Sequence, residues 1–233
     1  MATYFAGTSL LAETAGLRPA ADGTALNLAI DLGAMAATGF GLRNENQARE
    51  SRLARLTQGA NIAALRAQVL SDGNAQFVRL ADFRTGRGEA RRVVIIVAEE
   101  AALKATMADA ADSAKAIAAA DLLAVPVLLL PGGKSRLASP LSLLAESGLA
   151  SSFGPFSLAV PLEADLEAWQ TALAQELQNA RSQGGDAAGA RGFTILLKKN
   201  GRVGTRRLGT PDWRNLVEDV ASRAAAGLDT TNI

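Results

Sequence analysis

Two uninterrupted aliphatic runs, Val93-Val94-Ile95-Ile96-Val97 and Val125–Leu130, constrain the fold of this chain more than any other feature. A strand with one wet face alternates apolar and polar residues. A run that is apolar at every position, and rich in β-branched residues, reads as a strand buried on both faces, typical of a parallel sheet covered by helices. Between the runs lies Glu99–Ala120, Ala-rich with acids at its start, where the helix macrodipole favours them. Strand, helix and strand make a β-α-β unit, and Pro131-Gly132-Gly133 ends its second strand.

The flanking segments follow from periodicity. In Ala64–Leu70, Leu65, Ala67 and Val69 alternate with Arg66 and Gln68, a half-buried strand pattern. Ser71-Asp72-Gly73-Asn74 is turn chemistry, and Gln76–Leu80 reads as the returning strand. Loop signals at Ser151–Pro155 precede a short strand expected at Phe156–Val160. Leu166, Trp169, Leu173 and Leu177 recur at spacings of three and four, which predicts a helix over Glu163–Arg181, and the glycines of Gly184–Gly192 predict a loop after it. Thr194–Lys198, Asn200-Gly201 and Arg202–Leu208 predict a hairpin with a two-residue turn, positive φ at both turn residues. Thr210 as N-cap and Pro211 as first helical residue open a last helix with Trp213, Leu216, Val217 and Val220 on one stripe, Trp213 as a core anchor.

In order, the elements are a hairpin, β-α-β, a helix, β-β and a helix. A β-α-β unit joined through a helix to a β-β-α unit resembles the thioredoxin fold, and the leading hairpin resembles its peroxiredoxin-like members. The expected class is therefore α/β and thioredoxin-like, preceded by an N-terminal apolar helix. The chemistry of that fold is a separate matter. The chain has no cysteine and no histidine, which excludes disulfides, thiol nucleophiles, Cys/His zinc sites and His-based triads. Redox members place cysteines where the first central strand meets its helix; here that junction is Ala98-Glu99-Glu100-Ala101. They also place a proline before the terminal hairpin, where this chain has Arg191-Gly192-Phe193. Aromatics make up only 4%, so the core is expected to be aliphatic.

A second constraint lies near the N-terminus. Thr24–Leu42 carries a single charge, Asp31, and is about the length a membrane span needs. Arg43, Arg49, Arg52 and Arg55 follow, so residues 43–92 hold ten bases against five acids in a chain of net charge +1. That asymmetry is a topological signal, with the arginines on the cytoplasmic-type side. A central Asp costs roughly 2.5–3.5 kcal/mol on insertion scales, so Asp31 is expected to face protein. Gly33, Ala37 and Phe40 share one helical face suited to close packing. The buried helix of a soluble domain is the competing reading. A cleaved secretory signal is not expected, since no basic region precedes the apolar run. The division expected is 1–23 as an N-terminal extension, 24–60 as a transmembrane helix with its Arg-rich exit, and 61–233 as the thioredoxin-like domain.

The string Thr194-Ile-Leu-Leu-Lys-Lys-Asn-Gly-Arg-Val, followed by Leu208-Gly-Thr-Pro-Asp-Trp213, resembles the C-terminal region of the LOW PHOTOSYSTEM II ACCUMULATION proteins. Those carry an apolar strand, Asp-Gly-Arg-Val, a basic strand and Gly-x-Pro-Asp-Trp. The Arg92–Val97 strand, the Val125-Pro126-Val127 strand and Trp169 add pattern rather than motif. The resemblance implies a non-catalytic thylakoid-membrane protein of the chloroplast, its globular domain on the stromal side. It would assist assembly or repair of photosystem II, or remain a photosystem accessory subunit. The implied partners are photosystem core or antenna subunits and the membrane. The tetratricopeptide repeats of the plant members are not visible here, and one candidate membrane segment stands where they have more.

No catalytic residue, cofactor or metal ligand is expected, a peripheral chlorophyll or carotenoid contact being left open. Pro131-Gly-Gly-Lys-Ser135 lacks the first glycine of a phosphate loop, Leu128 taking its place. Glu163, Asp165 and Glu167 read as helix-dipole partners. Lys198, Lys199, Arg202, Arg206 and Arg207 make the terminal hairpin basic, without the interleaved aromatics that stack on nucleic-acid bases. The expected partner-binding residues are Asp31, Gly33, Ala37, Lys198, Arg202, Arg206 and Arg207, for protein or anionic lipid and not for nucleic acid. The alternatives are a soluble, redox-inactive thioredoxin-like interaction domain and an enzyme whose chemistry the sequence does not display.

Overall fold

The aliphatic runs form the centre of a mixed sheet. In the computed structural model, residues 43, 45–50, 52–53, 56–70, 76–84, 86, 90–132 and 136–230 are described, those of 185–190 by backbone only. The chain divides into two compact units, 1–55 and 56–233. In the first, residues 43, 45–50 and 52–53 are helical. The expected segment Thr24–Leu42, with Asp31, Gly33 and Ala37, lies outside the described residues, as do turn residues 71–75 and Gly133–Ser135. Among the described residues no helix is long and apolar enough to cross a membrane.

Strands β1 (Arg66–Val69) and β2 (Gln76–Arg79) pair antiparallel, with Arg66 opposite Arg79 and Val69 opposite Gln76. Next come β3 (Arg92–Ala98), α1 (Glu100–Asp112), α2 (Ala114–Ala119) and β4 (Leu122–Leu129). Every residue of β3 is buried, and it pairs parallel with β4 from Arg92–Leu122 to Ala98–Leu128. The crossover expected as one helix is two, broken at Ser113, whose φ is −100° and ψ 9°. Short β5 (Leu137–Ala138) returns along the end of β4, followed by α3 (Leu141–Glu146) and β6 (Ala159–Pro161). The latter starts later than the sequence predicts because Phe156 sits at φ +55°, a turn conformation that stops an extended chain. Its ring meets Phe83 edge-on at 6.4 Å.

Helix α4 (Leu166–Arg191) runs ten residues past the predicted stop at Arg181. The loop expected at Gly184–Gly192 is helical to Arg191, because interior glycines cost only about 1 kcal/mol each and alanines follow them. The terminator is Gly192, left-handed at φ +73°. The chain ends with β7 (Phe193–Leu197), β8 (Val203–Leu208) and α5 (Trp213–Ala225). The N-cap of α5 is Asp212 rather than Thr210, since its carboxylate accepts from the Asn215 backbone N–H at 3.0 Å.

The five-stranded sheet runs β5-β4-β3-β7-β8, with β7 antiparallel to β3 and β8 antiparallel to β7. A parallel β3–β4 pair extended by an antiparallel hairpin through β7 is the thioredoxin arrangement. The smaller β2-β1-β6 sheet adjoins it where Leu158 bridges to Ala124. Strand alternation divides the core into two layers. Val93, Ile95, Val97, Phe193, Ile195 and Leu197 face Trp169, Leu173 and Leu177 of α4 and Ala67 and Val69 of β1. Val94, Ile96 and Leu196 face Leu103 and Met107 of α1, Ile117 of α2 and Trp213 of α5. Each layer has one indole, with its polar atom satisfied: Trp169 Nε1 donates to the Arg66 carbonyl and Trp213 Nε1 to the Thr106 carbonyl, both at 2.9 Å. Trp213 is the core anchor its stripe predicts, 3% exposed.

At the N-terminal end of β3, Arg92 is the buried cation that strand periodicity does not foresee. Its Nη1 donates to the Ala120 carbonyl at 2.9 Å and its Nη2 to the Thr230 carbonyl, tying the C-terminal segment to the sheet. Burial pushes its pKa down against the opposing pull of Asp121, Asp219 and Asp229.

Candidate functional site

Two places can carry function in this arrangement. The first is the junction of β3 with α1. Ala98 is fully buried, and Glu99 enters the helix with φ −67° and ψ 160°, its carbonyl accepting from the Leu103 N–H at 2.8 Å while its side chain caps nothing. Across from it stands Gly192. A Cβ built there would lie 1.9 Å from the Val97 carbonyl oxygen and 2.8 Å from the Ala98 Cα. The Arg191–Phe193 segment therefore packs backbone to backbone on the end of β3, with Phe193 opposite Val97 in register. Gly192, Val97 and Ala98 fill the contact, while Glu99 is half-buried and Glu100 and Arg191 are exposed beside it. No cluster of three His, Cys, Asp or Glu suited to a metal occurs among the described residues.

The second place is the terminal hairpin and the groove it shares with α5. The predicted two-residue turn is a three-residue one. The Lys198 N–H donates to the Arg202 carbonyl at 2.9 Å and the Gly201 N–H to the Lys198 carbonyl at 2.8 Å. Only Gly201 has positive φ, +79°, while Asn200 does not. A type I turn closed by one left-handed glycine satisfies the strand twist as well as the expected turn does. The Asn200 side chain helps by accepting from the Arg202 N–H at 2.9 Å. A bulge at Gly204 then shifts the register, so that Leu196 faces Thr205 and Leu197 faces Val203.

Alternation beyond the bulge sends the basic residues to different surfaces. Arg206 turns toward α4, where its Nε donates to Glu176, a carboxylate only 5% exposed. Arg207 turns the other way and lines a groove of about 570 Å³ between β7, β8 and α5. Lys198 lines the same groove, Arg202 is exposed at the turn, and Lys199 reaches Asp121 at 2.6 Å. The sequence-predicted basic patch is thus split: Lys198 and Arg207 share the groove, Arg206 supports the opposite layer, and Arg202 stands apart.

The groove has an apolar floor of Val94, Leu196 and Leu216 and hydroxyls from Thr194, Thr205 and Thr210. Its two acids are engaged. Asp212 caps α5, and Asp219 pairs with Arg223 at 3.1 Å. The guanidinium of Arg207 makes no ion pair or hydrogen bond with the described residues. Asp165, expected as a dipole partner, lies in the helical turn that leads into α4 and accepts two bonds of 2.6 Å from Arg66, which hold its carboxyl below the usual carboxylate range. The groove was not legible as a site because it depends on α5 leaving part of the hairpin face uncovered.

No protein-family model and no curated protein matches the chain. It is similar in structure to the mitochondrial 2-Cys peroxiredoxin of Plasmodium falciparum (TM-score 0.43, 11% identity, covering 70% of this chain and 94% of the other). A putative thioredoxin of Neisseria meningitidis gives 0.41 and 16%, covering 70% and 91%. The thioredoxin domain of a thiol-disulfide oxidoreductase from Bacteroides vulgatus gives 0.40 and 13%, covering 68% and 95%.

Proposed function

We propose that this chain is a non-catalytic binding module, a thioredoxin-like domain that keeps the architecture and has given up its chemistry. The observation that carries the reading is the contact of Gly192 with Val97 and Ala98. The position that would need a nucleophile holds Ala98 and Glu99, and the facing segment is pressed against it. The full-length protein is expected to show no peroxide or disulfide turnover above buffer in coupled assays; turnover removes the reading.

The Thr194–Trp213 string adds a narrower proposal through its resemblance to photosystem II accumulation factors. On that proposal the chain is held at the stromal side of the thylakoid and contacts photosystem core or antenna subunits. Detergent-solubilised thylakoids of the source organism, separated on a native gel, are the test. Co-migration with a photosystem band is expected, and migration only as free protein excludes the client. Carbonate washing tests residues 24–42 separately, since a spanning helix resists it and a peripheral segment does not.

A further inference from the structure

We propose that the outer edge of β8 and the adjoining groove take an extended acidic segment of a partner protein, added as a further strand, with Arg207 as its carboxylate anchor. This deepens the binding-module reading and rests on it.

Three observations converge. β8 is the last strand of its sheet, and among the described residues no strand pairs with its outer edge. Such an edge presents unpaired backbone N–H and C=O groups, the template that β-strand addition uses. A strand added there places alternate side chains over the neighbouring sheet face, and along β8 that face is the groove, with apolar floor, hydroxyls and Arg207. Finally, charge selects the occupant. From Phe193 to Pro211 the chain carries five cations and no acid; Lys199 is paired with Asp121 and Arg206 with Glu176, so the selecting charge is that of Arg202 and Arg207. Within the groove both acids are already engaged, while Arg207 retains its whole donor fork for a planar carboxylate. The same arginines disfavour a second copy of this hairpin, because like charges would lie across the new pairing. The edge therefore discriminates between self-association and an acidic stranger.

The probe is a fluorescent ten-residue peptide alternating Glu with Val and Thr, titrated against the full-length protein at physiological salt and read by anisotropy. Saturable binding is expected. Arg207→Glu is expected to weaken it by about tenfold or more, as loss of a bidentate anchor does. Arg214→Glu makes the same charge change on an exposed residue of α5 and is expected to leave affinity within about twofold. A peptide of identical charge, N-methylated at alternate residues, loses the main-chain donors of a paired strand and is expected to bind at least about tenfold more weakly. Equal loss in both arginine variants, or undiminished binding of the N-methylated peptide, reduces the effect to diffuse charge and overturns the proposal. Absence of binding up to about 1 mM overturns it as well. Neither result touches redox inertness, so the binding-module reading fails only by its own assays.

Discussion

The β3–α1 junction and the β8 groove are both formed by the β7–β8 hairpin, yet they differ in every property that matters for function. At the junction, β7 begins against the end of β3 with backbone in contact, and Ala98 and Phe193 are buried. At the groove, the same hairpin face is left partly bare by α5, its floor apolar and its rim charged. One end is closed by backbone packing, and the other is open to solvent. The proposed reading separates these two roles within one hairpin. Chemistry needs particular side chains at the first, whereas binding needs only an edge, a groove and an unpaired charge at the second.

The sharpest way to break this contrast is at the closed end. Gly192→Val places a Cβ into the Val97 carbonyl and imposes a β-branched residue on φ +73°. Neither strand can retreat without disrupting β3, so a loss of about 4 kcal/mol or more is expected in denaturant titration. A smaller loss would mean that the junction has slack and is not closed. At the open end the corresponding change is milder. Gly201→Val also meets a positive φ, but the atoms in its way belong to the Arg84 side chain, which must give up its Nε bond to the Ala81 carbonyl to make room, while no backbone strand has to move. About 1–2 kcal/mol is expected from backbone strain alone. An unchanged melting temperature would show that the turn does not need its left-handed residue.

The Arg66–Asp165 pair, far from both ends, gives the smallest effect and a signed pH dependence. The hydrogen bond from Arg66, and then its charge, lower the Asp165 pKa in the folded state. A carboxylate with a depressed pKa contributes stability that is present above its unfolded pKa of about 4 and is lost as pH falls through the folded value. Asp165→Asn should therefore lower the denaturation midpoint slightly at neutral pH, and the difference should shrink as pH falls below about 4. A constant difference across that range would assign the effect to packing rather than to charge. The exposed Arg66 keeps the effect small.

How much of this was legible beforehand varies with the kind of signal. The β-α-β core was readable because Val93–Val97 and Val125–Leu130 leave a strand no wet face, a constraint that tertiary context does not reverse. The tryptophans were readable from helical spacing. The end of α4 was not, because Gly184 resembles a terminator and the real one, Gly192, is defined by a conformation rather than by composition. The hairpin was foreseen and its turn type was not, since Asn200-Gly201 suits both a two-residue turn and a three-residue turn with one left-handed glycine. Arg206 and Arg207 look like one patch in sequence and are two surfaces in space, as strand alternation requires. The groove depends on how α5 lies across the hairpin, which no local pattern encodes.

The most direct measurement compares the two ends in a whole lysate of the source organism. A photo-cross-linking amino acid is placed at Glu99, on the closed junction, or at Thr205, on the groove, in otherwise unchanged full-length protein. Illumination is expected to give discrete adducts from position 205 and none from position 99. Adducts from position 99 without any from position 205 would contradict the account, because the partner would then meet the β3–α1 junction and not the groove.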